Sequence, residues 1–373
     1  MIEIDGSIGE AGGQILRTAC ALSAVTKNPC LVYNIRKGRE KPGLMPQHLA
    51  GIQALARLCN GSLEGDELGS QEIKFYPGET YKERVFIDIP TAGSITLALQ
   101  TLILPALFAP HPIKITFEGG ATDTFFSPTI DYFHYVLLKI LEKLGVKGEI
   151  NILKRGYYPE GGAGVEITLF PLLRPDSAKA ASFAEVASAT KAESTGKQSS
   201  GEQASKLKSL NLTERGELQK ILVISGASEL LQDKNVAERQ IAGVKEILGK
   251  LKLPTEEKIE YYPTQCPGSQ ICLIAEFENT VIGADNLGKL GKRAEDVGKE
   301  AAFELLREQK SEACLDKHLA DQILPYMALG SGKSKITVSE ITNHCRTNIW
   351  VIEKFLSGKF EIRGNLISWF PKT

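Results

Sequence analysis

The chain repeats itself. Residues 11–22 read AGGQILRTACAL and residues 92–103 read AGSITLALQTLI, an offset of 81 residues. Each segment follows an alternating strand-like run, IEID or VFIDIP, and passes through a Gly-containing turn into a mostly apolar helix. The correspondence continues with LVYNIRKG at 31–38 and IKITFEGG at 113–120, each a short strand ending in Gly. Pro46 and Pro128 each precede a helix, QHLAGIQALARLCNG and TIDYFHYVLLKILEKLG. Both helices stop near a Gly, at 61 and 145. Strands close both units: QEIKFYPG in the first, EINILKRGYYP with GVEITLF in the second. The common plan is strand–helix–strand–helix–strand–strand, about 80 residues long. A unit of this kind buries one sheet face against helices and completes its core against neighbouring copies.

A third copy closes the chain. HLADQILPYMAL at 318–329 is its helix, KITV at 335–338 a strand, NIWVIEKFL at 348–356 a second helix, and KFEIRG and LISWF its last strands. Ahead of it ILVISGAS predicts a strand, VAERQIAGVKEILGKL a helix, and KIEYYP with ICLIAEFE two further strands. The expected fold class is α/β (α+β): a large domain of three βαβαββ repeats with a small inserted α/β domain. The expected boundaries are 1–174 and 281–373 for the large domain, with units at about 1–80, 81–174 and 281–373, and 175–280 for the insert. Within the insert, 176–207 (DSAKAASFAEVASATKAESTGKQSSGEQASKL) is rich in Ser, Ala, Lys and Glu, which predicts a flexible loop.

Charge narrows the function. The chain carries 44 Lys+Arg against 45 Asp+Glu, a net charge of −1, which excludes a protein held on nucleic acid by bulk positive charge. Any phosphate-handling cations must be concentrated in one place. Seven Cys, an odd number with no CxxC pair, argue against a structural zinc site or a secreted disulfide framework. The N-terminal run shows no signal peptide and no run of about 18 apolar residues is present, so no membrane span and a cytoplasmic setting are expected.

Four constellations could carry chemistry. Gly6, Gly9, Gly12 and Gly13, with Glu10 among them, allow close backbone approach to a ligand; the spacing fits neither a P-loop nor a dinucleotide fingerprint, and composition alone favours a plain tight turn with a helix start. Arg36, Lys37, Arg39 and Lys41 place four cations in six positions at a strand end. Arginine forks match phosphate oxygens, although most such runs are solvated loops. Arg17 and Gln100 are isolated polar residues on otherwise apolar helices, each paired or aimed into a site. In TNHCRTN at 342–348, His344 is a candidate phosphorus nucleophile, since imidazole attacks readily and leaves readily; an N-cap region with a surface His is the plain alternative. His318 and Asp321 are three apart and share a helix face, as an exposed ion pair or a nucleotide or metal contact.

Taken together these motifs resemble the RNA 3′-terminal phosphate cyclase family almost end to end. They are GEAGGQILRT at 9–18, NIRKGREKPGL at 34–44 with PQHL at 46–49, DELGS at 66–70, RGYYPEGGAG at 155–164, HLADQ at 318–322 and NHCRTN at 343–348. The resemblance implies the three-unit fold with its insert. It implies an ATP-dependent enzyme of the ligase class that converts RNA 3′-terminal phosphate to a 2′,3′-cyclic phosphate. The implied route runs through a covalent histidine–AMP and RNA-(3′)pp(5′)A, releasing pyrophosphate and AMP. Carried over residue by residue, His344 matches the histidine that takes AMP and Glu10 the metal-ligating glutamate, for Mg²⁺ or Mn²⁺. Arg17, Arg36, Arg39 and Gln47 match residues that hold the phosphates of ATP or the RNA end. Gln100, Pro128 and the stretch His318, Leu319, Ala320, Asp321, Gln322 match ATP-binding positions, with Pro128 stacking on adenine. The implied partners are ATP and RNA 3′-phosphate ends; a homodimer is left open. The chain departs from the family at Ala11 and Ala163, where Gly is usual, and at His318, where an aromatic residue occurs.

Two rivals differ in class. A non-catalytic ribosome-assembly scaffold of the same family would lack the nucleophilic histidine. An enolpyruvyl transferase built from related repeats would have no use for HCRTN or HLADQ.

Overall fold

The computed structural model describes residues 1–10, 12–172, 207–249 and 254–372. It is a mixed α/β protein with four four-stranded sheets among the described residues. The loop expected at 176–207 lies outside them except for Leu207, which is buried.

The first sheet is built from β1 (Ile2–Asp5), α1 (Gly13–Thr26), β2 (Cys30–Tyr33), α2 (Pro46–Cys59), β3 (Ser62–Glu64) and β4 (Ile73–Tyr76). Its order is β1-β2-β4-β3, with β1 parallel to β2 and the other pairs antiparallel. The second uses β5 (Arg84–Ser94), α3 (Ile95–Ala106), β6 (Ile113–Ala121), α4 (Ile130–Tyr132), a π turn (Phe133–Leu137), α5 (Leu138–Lys143), β7 (Lys147–Lys154) and β8 (Gly164–Phe170). Its order is β5-β6-β8-β7, again parallel in the first pair and antiparallel after it.

The fourth sheet lies within the span between β9 (Asn211–Leu212) and the last elements of the chain. It contains β10 (Leu218–Ser228), α6 (Val236–Leu248), β11 (Thr255–Tyr262), β12 (Ser269–Phe277), β13 (Val281–Leu287) and α7 (Ala294–Lys310), in strand order β11-β10-β12-β13. Thus 281–310, read from sequence as the opening of the third unit, pairs and packs here: β13 is antiparallel to β12 and α7 lies on α6. The third sheet takes α8 (Lys317–Ala328), β14 (Ser334–Thr337), α9 (Asn343–Phe355), β15 (Gly358–Arg363) and β16 (Leu366–Pro371). Its order is β15-β16-β14-β9, and its first strand in chain order is the two-residue β9, parallel to β14.

Burial explains the elements. α1 is apolar almost all round because α2, α3 and α9 pack about it. It ends at Lys27 in the left-handed region, φ 59°. α2 begins with Pro46 at its first turn and ends on Asn60, φ 52°, rather than on the Gly that follows. α9 begins five residues before the expected 348, because the Thr342 hydroxyl accepts the Cys345 N–H at 3.2 Å and caps it there. His344 therefore sits inside a helical first turn instead of ahead of the helix. The run ILVI in β10 is buried on both faces: Ile221 and Val223 join a small core with α6 and α7, whereas Leu222 and Ile224 join the large core. Cys272 and Ile274 of β12 also enter the large core, so the fourth sheet is cemented to the rest.

The loop before β8 shows why Ala163 is tolerated. Left-handed backbone occurs at Gly161 (φ 76°) and Gly162 (φ 75°), but Ala163 is not among the positive-φ residues. Ala11, the other departure, lies outside the described residues. Among the described residues no helix is long and apolar enough to cross a membrane. All seven Cys are buried.

Candidate active site

α1, α3, the loop before α4, α4, the end of β13, α8 and α9 converge on a cavity of about 460 Å³. His344 stands at its edge, held from two sides. Nδ1 lies 2.6 Å from Gln14 Oε1, and Nε2 lies 2.9 Å from Glu10 Oε2. The Gln14 amide nitrogen donates to Asp321 Oδ2, which turns the amide oxygen toward His344. That oxygen takes Nδ1–H, leaving the Nε2 lone pair toward Glu10. Two acceptors at that distance repel unless positive charge sits beside them. Arg39 Nη2 is 3.8 Å from the same carboxylate oxygen and donates to the Glu10 carbonyl at 2.9 Å.

The electrostatics keep the imidazole neutral. Burial pulls His344 below its ordinary 6.5, Glu10 opposes this, and Arg17 and Arg39 add to it. Burial lowers Arg17 to about 10, with Asp321 pulling it back, so it remains a cation at neutral pH. Burial pushes Asp321 up to about 7 against the pull of Arg17. Near neutrality the carboxyl that steers Gln14 is therefore close to its own midpoint.

The supporting contacts cross long stretches of chain. Thr18 Oγ1 donates to Asn348 Oδ1 at 2.8 Å, and Asn348 Nδ2 donates to the Asp321 carbonyl at 2.8 Å, tying α1, α9 and α8 together. The buried Asp316 caps α8 by accepting from the His318 and Leu319 amides, and also takes the Tyr132 hydroxyl at 2.6 Å and the Gly283 amide at 3.0 Å. The helix bearing His318 and Asp321 is thus fixed against the second and fourth sheets. Gly13 is required where it stands: a Cβ there would come 2.1 Å from His48 Nε2. Burial, with Arg17 and Arg36, lowers His48 to about 3, so it packs there as a neutral ring.

The expected residues fall into two groups. Arg17, Gln100, Pro128, His318, Asp321, Gln322 and His344 all line the cavity. Gln100 Nε2 donates to Gln322 Oε1 at 2.7 Å, and Gln322 Nε2 donates to the His318 carbonyl at 2.6 Å. Glu10 and Arg39 flank His344. Arg36, at φ 55°, is turned onto the Lys41 carbonyl at 3.1 and 3.3 Å, and Gln47 lies in the first turn of α2. Leu319 and Ala320 do not line the cavity. Both are fully buried in the core, because on an α-helix the side chains at 319 and 320 point away from those at 318, 321 and 322.

Several lining residues escape the sequence reading. Gln14 is three positions before Arg17 on the same helix face, a signal that was legible. Asp285, Asn286 and Leu287 arrive from β13, and the Asp285 carboxylate accepts the Thr129 amide at 2.7 Å. Phe125 and Phe126 form part of the rim. Among the described residues no group of three or more His, Cys, Asp or Glu could hold a metal ion. Glu10 alone suits a hard cation that takes its other ligands from phosphate and water.

A neutral imidazole and a buried cation sharing one cavity, in a mixed α/β framework, define a protein suited to phosphoryl chemistry, where positioning and charge neutralisation do most of the catalysis. The family model for RNA 3′-terminal phosphate cyclase matches residues 8–362. An RNA 3′-terminal phosphate cyclase of Pyrococcus furiosus is 43% identical over 366 residues, covering 98% of this chain and 96% of that protein. Those of Ignicoccus hospitalis and Archaeoglobus fulgidus are 40% and 39% identical, over 98% of this chain and 96% and 99% of theirs. The chain belongs to the RNA 3′-terminal phosphate cyclase family, and with it to the ATP-dependent enzymes of ligase type. Among solved structures the enolpyruvyl transferase NikO of Streptomyces tendae aligns with 99% of this chain and 81% of that one, at 8% identity and a TM-score of 0.18, too poor a superposition to bear on fold or function.

Proposed function

We propose that this chain converts an RNA 3′-terminal phosphate to a 2′,3′-cyclic phosphate, using ATP, with His344 as the nucleophile. Support comes from the family membership and from one observation above all: a neutral imidazole at the cavity edge whose Nδ1 is held at 2.6 Å by Gln14 and whose Nε2 lies 2.9 Å from Glu10. Nε2 attacks the α-phosphorus of ATP and pyrophosphate leaves. The RNA 3′-phosphate displaces histidine from AMP, and the neighbouring 2′-hydroxyl then closes the ring as AMP leaves. Arg17 and Arg39 offset charge at the reacting phosphates; Gln100, Pro128, His318, Asp321 and Gln322 form the wall that takes the nucleotide. Arg36 and Gln47 are assigned to the RNA end. Glu10 is the residue that would hold a divalent cation, which when bound lowers the negative charge on the phosphates.

The organisation we infer is three copies of one βαβαββ unit, one per sheet in the first three sheets, with the fourth sheet and its helices as an insert between β9 and α8. A cytoplasmic setting belongs to the same reading.

The test is a 3′-phosphorylated oligoribonucleotide incubated with ATP and Mg²⁺ or Mn²⁺. The expected result is an end resistant to phosphatase, with AMP and pyrophosphate formed in equal amounts. An end that stays phosphatase-sensitive would favour the scaffold reading.

Gln14→Leu should slow self-adenylylation on the order of 10²-fold, since it frees the imidazole to turn. In the parent, protonation of Asp321 as pH falls through about 7 weakens the charged acceptor that steers Gln14, so labelling should decline there. Asp321→Asn should erase that inflection, leaving only the His344 limb below 6.5. Rates of labelling across pH decide this; an unchanged inflection in the variant would assign it elsewhere.

A further inference from the structure

A second cleft, of about 570 Å³, opens beside the His344 cavity and shares Phe125 and Leu287 with it. Its lining brings together Lys234, Arg239, Lys289, Lys292 and Arg293 from the fourth sheet and its connections, against a single carboxylate, Asp123. That carboxylate is buried and already bonded to Arg155 at 3.1 Å. Arg239 is engaged by Glu295, with Arg293 near the same carboxylate at 3.6 Å, and Lys292 by Glu300. Lys234 and Lys289 are exposed and make no ion pair among the described residues. In a chain of net charge −1, these two lysines are a local surplus of positive charge without an ion-pair partner among the described residues.

Aromatic faces stand at the junction of the two cavities. Phe125 and Tyr158 meet edge to face at 6.1 Å, and both are exposed. Phe126 is wholly in solvent at 103% relative exposure, and its backbone is left-handed at φ 63°. An aromatic residue rarely adopts that conformation. Cations tracking a backbone, with aromatic rings at intervals, are the chemistry of single-stranded nucleic acid recognition.

We infer that this cleft is the track for the single-stranded RNA leading to the terminal phosphate, with bases stacking on Phe125 and Tyr158 of its lining and on Phe126 at the rim of the His344 cavity, and backbone phosphates paired with Lys234 and Lys289. The inference rests on the proposed cyclase reading, and gives the fourth sheet its work. The occupant follows from continuity: the cleft shares Phe125 and Leu287 with the His344 cavity, so a strand bound in it passes beside the nucleotide wall to bring its 3′ end to His344. A base-paired end would not present its base faces to these rings.

The test compares two 3′-phosphorylated substrates, a single strand of roughly ten nucleotides and a dinucleotide, using the full chain. Lys234→Ala/Lys289→Ala should weaken binding of the longer strand about tenfold. It should also reduce the slope of log affinity against log salt by about 1.4, from two lost phosphate contacts at about 0.7 each. Turnover of the dinucleotide should hold, and the double Lys→Arg variant should restore strand binding. Phe126→Ala should weaken the longer strand by roughly tenfold with the salt slope intact, as loss of stacking requires. Equal losses on both substrates, or unchanged affinity and slope, would overturn the track. A parent protein that binds the strand with the expected salt slope yet cyclises neither substrate would overturn the cyclase reading and leave the track standing.

Discussion

His344→Ala is expected to take no label from α-labelled ATP, a loss of about 10³-fold or more, because it removes the atom to which AMP is bonded in the proposed route. The parent should be labelled through a bond that is cleaved by acid and survives base, as a phosphoramidate does. Its rate should rise with pH along a limb below 6.5, since the folded protein lowers the histidine and only the neutral ring attacks. The substitution removes a half-buried side chain whose contacts are Gln14 and Glu10, so the fold should persist. Labelling that persists in the variant would move the nucleophile elsewhere. His48, with a value lowered to about 3, is no substitute: its ring is buried beneath Gly13, away from the cavity.

The largest effect on stability is expected from Arg155→Met. The guanidinium is 2% exposed and bonds Asp123 at 3.1 Å and Asp131 at 2.6 Å. Its own value is driven well above the ordinary one; burial opposes this, and the two carboxylates outweigh it. Removing it leaves two carboxyls facing one another without a counter-charge, a loss of about 3–5 kcal/mol. That is on the order of 10 °C in Tm. Burial already holds Asp123 up at about 6. Protonation therefore relieves the variant, and its deficit should shrink as pH is lowered from 7 toward 5. Adding Asp123→Asn and Asp131→Asn should recover part of the loss. Thermal unfolding at both pH values decides it; a parent-like Tm would mean the cluster relaxes or hydrates freely.

The alternation of strands and helices was legible where strands such as β5, β7 and β8 carry a period of two and helices such as α6 and α7 an apolar stripe. What failed was the assignment of pieces. β9 is two residues long, too short to show any period, so the first strand of the third sheet went unread and β13 with α7 were counted in its place. Their sequences, VIGADNL and AEDVGKEAAFELLREQK, suit a strand and helix of any of the sheets; only pairing with β12 and packing on α6 place them. In the site, Arg17 and Gln100 were visible as polar residues on otherwise apolar helices, His344 as an imidazole beside Cys345 and Arg346, and Asp321 by sharing a helix face with His318. Leu319 and Ala320 were carried along with a motif although the helix turns them inward. Gln14 was passed over as an ordinary helical residue, since its role depends on Asp321 and His344, more than 300 positions away. Phe126 was unreadable because exposure and a left-handed backbone are properties of the folded loop.

The span of those contacts has a consequence for the life of the chain. Gln14 meets its partners only through α8 and α9, and β9 waits more than 120 residues for Ile336 and its neighbours to pair with it. Contacts of such separation form late and slowly. No nascent or truncated form that stops short of residue 344 can assemble the nucleophile, however well its first two sheets have folded. Adenylation at His344 would therefore report that translation has passed α9, and a copy interrupted before that helix would be chemically silent toward ATP.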